Sequence, residues 1–166
     1  MLEARSPLGT PARIERPGIV LEEATGFTLT QVAGETSALR KLLGKIPSKV
    51  GNVAENDGRI ILRTGTKQLW VVGEAIGAEA GVYVTPLSSS RTRIALSGNR
   101  AHDVLAASAA IDFNEKHFKP GHFVMTGIHH TPVLIYCFGE RSFHIYAMRT
   151  FALAVWEWLC DAAEGL

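Results

Sequence analysis

Cysteine is scarce, and the two present, Cys137 and Cys160, lie inside apolar runs without a C-x-x-C spacing. This excludes a disulfide framework and a thiolate metal knuckle, and predicts reduced core residues of a cytoplasmic protein. Charge of one sign is also missing: 17 Lys and Arg face 16 Asp and Glu, a net of +1. Nucleic-acid binders concentrate basic residues on one face, whereas Arg40, Lys41 and Lys45 here read as the solvated side of a short helix. No run reaches the roughly 18 apolar residues that a membrane span needs. The opening stretch carries no apolar core of a secretion signal. The expectation is therefore a soluble chain without nucleic acid or membrane as a partner. Aromatics make up 8% of the chain. Glycine is spread over turns and forms neither G-x-G-x-x-G nor G-x-x-x-x-G-K. The serines Ser88–Ser90 have no G-x-S-x-G frame, so no nucleophile elbow is present.

Histidine is the one reactive type in good supply, with five of six between His117 and His144. A metal reading founders on their arrangement. His129 and His130 are adjacent, so on a strand they face opposite sides, and the others fall on separate elements. No Asp or Glu is interleaved at ligand spacing. We expect no catalytic residue and no metal site in this chain.

What is present is a strand-turn-helix unit in the second half. Ser90, Thr92, Ile94 and Leu96 alternate with Arg91, Arg93, Ala95 and Ser97, a period of two that marks a half-buried strand. Asn99 is the expected N-cap of a helix whose Ala101, Val104, Leu105 and Ser108 share one face. Arg91 and Arg93 are the candidate contacts for a carboxylate or phosphate, with a solvated strand face as the plainer alternative.

The first half reads as a strand at Gly26–Ala33 and a helix opening at Glu35 that stops at Gly44. A loop at Pro47–Gly58, a hairpin of Arg59–Arg63 with Leu69–Gly73, and a weak helix at Glu74–Ala80 follow. Beyond the central unit come strands at His122–Ile128, Pro132–Phe138 and Ser142–Met148, then a helix capped by Thr150. The predicted class is α+β, two small antiparallel-sheet-plus-helix halves at about 19–82 and 83–166. Residues 1–18, with Pro7, Pro11 and Pro17, read as a flexible arm, either a disordered tail or an extended segment that orders only along a partner surface.

The last helix is over-apolar. Phe151, Val155, Trp158 and Leu159 make one face, Leu153, Trp156 and Cys160 a second, and Glu157, Asp161 and Glu164 a narrow polar stripe. A surface helix of a lone chain buries one face. Either both faces are covered within the chain, or Trp156, Trp158 and Phe151 anchor another polypeptide. The mean hydropathy of +0.11 leans the same way.

Several segments together resemble one family. PLSSSRTRIALSG-x-x-A-x-x-VLA (Pro86–Ala106), IDF-x4-F-x-PG (Ile111–Gly121) and T-x-IHHTPVLIY (Thr126–Tyr136) carry the likeness. GE-x-x-FHIYAMRTFA (Gly139–Ala152) and WEWLCDAA (Trp156–Ala163) extend it to the end of the chain. These are similar to the gamma subunit of heterotetrameric sarcosine oxidase, and Gly58–Gly73 matches less specifically. The resemblance implies part of the aminomethyltransferase-like folate-binding fold and a non-catalytic subunit without a cofactor of its own. It implies alpha, beta and delta subunits as partners, which carry FAD, FMN, NAD and tetrahydrofolate and demethylate sarcosine oxidatively to glycine. N-methylglutamate dehydrogenase uses related subunits, so a gamma-type subunit of that enzyme is an alternative. A free-standing folate or anion-binding module is another, and a histidine-dependent metalloenzyme a third.

Overall fold

The period-two alternation of the sequence becomes two antiparallel sheets in the computed structural model, which describes residues 5–9 and 12–166. The described residues divide into two units: 5–9, 12–25, 90–120 and 124–166 form one, and 26–89 with 121–123 the other. These are not the sequential halves expected from the element order. The stretch before residue 26 crosses over to join the C-terminal elements.

The smaller unit contains β3 (Leu29–Gly34), α1 (Thr36–Leu43), β4 (Val53–Asn56), β5 (Arg59–Gly65), β6 (Gln68–Val72) and β7 (Val82–Pro86). Its sheet runs β4-β5-β6-β3-β7, antiparallel throughout. α1 turns Leu39 and Leu43 onto Val32, Ile61, Leu69 and Val71, which burial holds together as one core. The helix stops at Gly44, whose φ of 71° suits glycine and whose N–H returns to the Arg40 carbonyl.

The larger unit is built from β1 (Arg13–Arg16) and β2 (Ile19–Glu23), then β8 (Arg91–Ser97), α2 (Ala101–Ser108), β9 (His122–Ile128), β10 (Thr131–Gly139), β11 (Ser142–Met148) and α3 (Ala152–Glu164). The sheet order is β1-β2-β8-β11-β10-β9. Ile94 and Leu96, Phe143 and Ile145, and Val133 and Ile135 point to one side. There they meet Val104 and Leu105 of α2 and Val155, Trp156 and Leu159 of α3. The burial of β8 alternates residue by residue, as its sequence requires. The turn after β8 demands glycine: Gly98 has φ 117°, and a β-carbon there would run into the Gly18 carbonyl oxygen.

Several expectations are corrected. Asn99 is not the N-cap of α2. Arg100 holds that place without a side-chain cap, and Asn99 Oδ1 instead accepts from Arg141 at 2.7 Å. Thr150 does not cap α3; residues 149–151 form one 3-10 turn, and Phe151 precedes the helix. Glu74–Ala80 is not helical, because Gly73 (φ 135°), Gly77 and Gly81 (φ 77°) favour turns there. β4 lies inside the expected loop 47–58, and β7 was not foreseen. The expected flexible arm is folded over 12–16, where β1 pairs with β2, and Leu8, Ala12 and Ile14 pack on the core. The part of the arm at residues 1–4, 10 and 11 lies outside the described residues.

Candidate functional site

The sheet face of the larger unit that looks away from α2 and α3 gathers the residues with most chemical character. Alternation puts Arg91 and Arg93 of β8, His144 and Tyr146 of β11, and Tyr136 and Phe138 of β10 on it. Register aligns them: Arg93 stands opposite Tyr146, and Tyr136 opposite His144. Phe138 stacks on the His144 ring with centroids 4.1 Å apart, and Tyr146 meets it edge-on at 6.2 Å.

Burial decides the protonation here. His144 Nδ1 is buried and has no hydrogen-bond partner among the described residues. Desolvation, reinforced by the Arg93 charge, pushes the His144 pKa down to about 4. The imidazole is thus neutral near pH 7. Burial raises the Tyr146 phenol, with Arg93 opposing the shift. Burial also lowers Arg91. Arg93 Nε donates to the Ala24 carbonyl at 3.3 Å, and Arg91 donates to the Ser90 carbonyl at 3.2 Å. The two candidate anion contacts therefore share one face, yet each donates to the chain's own backbone. The aromatic residues beside them were missed from sequence, and His144 was weighed there only as a metal ligand. Period-two alternation existed in all three strands, but their register did not.

The candidate interface residues separate. Trp156 is 9% exposed and belongs to the core of the larger unit. α3 buries Ala152, Val155, Trp156, Leu159 and Ala163, one helical stripe drawn from both apolar faces read in the sequence. Trp158 is half-buried, its ring 4.4 Å from that of His129. Phe151 remains exposed, as does Leu153.

The other reactive groups disperse. His129 and His130 form the turn between β9 and β10, and His117 is bonded to Asp112, which lowers that carboxyl. Among the described residues, no group of three or more His, Cys, Asp or Glu is placed to hold a metal ion. Both cysteine thiols are pushed up to about 11 by burial, which leaves them protonated. A cleft of about 500 Å³ lies between α2 and the following loop, lined in part by His102, Asp103, Asp112 and Glu115. Its carboxylates are engaged: Glu115 accepts from Arg141 at 3.2 Å, and Asp103 from Arg100 at 3.3 Å.

The fold places the chain in a known structural class. It matches glycine cleavage system aminomethyltransferase T from Bartonella henselae with a TM-score of 0.65 at 21% identity, over 87% of this chain and 46% of that one. A chain of heterotetrameric sarcosine oxidase from Corynebacterium sp. U-96, solved in complex with pyrrole 2-carboxylate, matches with a TM-score of 0.81. That match has 24% identity over 89% of this chain and 84% of that one. Both show an α+β fold of the aminomethyltransferase type. The model of the sarcosine oxidase gamma subunit family matches residues 28–165, and the chain belongs to that family. Among its relatives, the sarcosine oxidase subunit gamma of Arthrobacter sp. is 31% identical over 87% of this chain and 79% of its own length. That of Corynebacterium sp. (strain P-1) is 27% identical over 98% of this chain and 86% of its own length.

Proposed function

We propose that this chain is the non-catalytic gamma subunit of a heterotetrameric sarcosine oxidase that demethylates sarcosine oxidatively to glycine. The observation that carries the reading is the family match over residues 28–165. Relatives named as gamma subunits align over most of their own length and so support the same role for the whole chain. In this reading the companions are alpha, beta and delta subunits. FAD, FMN, NAD and tetrahydrofolate reside in them, and this chain braces their arrangement in the cytoplasm.

The test is purification of the tagged chain from its own source under mild conditions, with flavin absorbance read on the eluate. A yellow eluate with further chains, which turns over sarcosine faster than N-methylglutamate, is the expected result. A yellow eluate that prefers N-methylglutamate would move the chain to the related dehydrogenase. A colourless chain recovered alone would overturn the subunit reading.

A further inference from the structure

Most of the apolar surface of α3 is inside the chain, which makes the exception informative. Within six residues at the junction of β11 and α3, Met148 is 40% exposed, Phe151 47% and Leu153 51%. Arg149 sits among them and is exposed. Its guanidinium donates to the Arg5 carbonyl, a neutral acceptor. Arg91 stands opposite Met148 across the β8–β11 pair and brings a further positive charge to the same edge. Among the described residues, neither Arg5 nor Arg149 has an ion pair with a carboxylate.

We infer that this junction, Met148 to Leu153 with Arg5 and Arg91 at its rim, is a docking surface for an apolar, carboxylate-rimmed surface on a companion subunit. The inference rests on the subunit reading above and adds the place and the chemistry of the contact. Two physical arguments select that occupant. Met, Phe and Arg are enriched at protein interfaces where Lys is depleted, and this junction holds the first three and no Lys. Arginines grouped at an apolar rim favour acidic neighbours, steer association and repel a second basic surface. Self-association of two such junctions would oppose like charges, so a second copy fits poorly.

The test is co-expression of the full chain with its companion subunits and recovery of the assembly through a tag on a companion. Arg149→Glu and Leu153→Asp are the two variants. Both side chains are exposed, so circular dichroism of each purified variant should match the parent. Each is expected to lower recovery of this chain at least ten-fold at 150 mM salt, and Arg149→Ala less than Arg149→Glu. Parent recovery should fall with rising salt. Undiminished recovery of both variants, or a parent chain that dimerises through this junction, would overturn the inference. Failure of the parent itself to assemble would instead sink the subunit reading, so the two failures are distinguishable.

Discussion

At the scale of single residues, His144 shows how burial sets chemistry. Its pKa is held at about 4 in the folded chain, against an ordinary value of 6.5. The unfolded chain therefore binds the extra proton first as pH falls. Stability from this group is complete above about pH 7 and is lost progressively toward pH 4. The loss amounts to about 3 kcal/mol on the conversion of one pKa unit to about 1.4 kcal/mol. Urea titrations at pH 7 and pH 4.5 should show that slope, and His144→Phe should flatten it. An unchanged slope in the variant would place the acid sensitivity elsewhere. Gly98 offers a second residue-scale check. With φ at 117° and the Gly18 carbonyl oxygen where a β-carbon would sit, Gly98→Ala strains the backbone and forces β2 away from the turn. A loss of about 2 kcal/mol or more in urea denaturation is expected. A loss under about 0.5 kcal/mol would mean that the turn relaxes without cost.

At the scale of elements, α3 divides into positions that build the core and positions that do not. Leu159 is fully buried, and Leu159→Ala should cost about 2–5 kcal/mol, the range for buried leucines. Leu153 is exposed, and Leu153→Ser should change the stability of the isolated chain by no more than about 0.5 kcal/mol. Equal losses in thermal melts would contradict the assignment of faces. The same helix marks the limit of reading from sequence. Its circumference is so apolar that periodicity alone gave two candidate faces, and packing against α2, β1 and β11 chose a stripe that mixes them. Strands with clean alternation, such as β8, were legible because two-residue periodicity needs no partner to be seen. β7 and β4 were not, being four or five residues of partly exposed chain without a buried run. Caps at Asn99 and Thr150 failed for a related reason. A side chain able to cap is a local property, but Asn99 is drawn off by Arg141, which is distant in sequence and adjacent across the fold.

At the scale of the whole molecule, the antiparallel α+β class was legible, whereas the way the chain is divided was not. β2 joins β8 in one sheet, so a stretch before residue 26 completes a unit otherwise made from the second half. No local pattern announces a pairing across some seventy residues. The candidate site was half legible for the same reason. Arg91 and Arg93 are visible on one strand, but His144, Tyr146 and Phe138 join them only through register. The family likeness, by contrast, is carried by contiguous segments and needed no fold. It leads to the central claim, that this chain works as one part of a larger assembly. Native mass spectrometry of the untagged complex, purified gently from its source, tests that claim most directly. A single assembly of four different chains is expected, from which one 18.0 kDa subunit, this chain, is released on activation. The chain flying alone, or only with copies of itself, would contradict it.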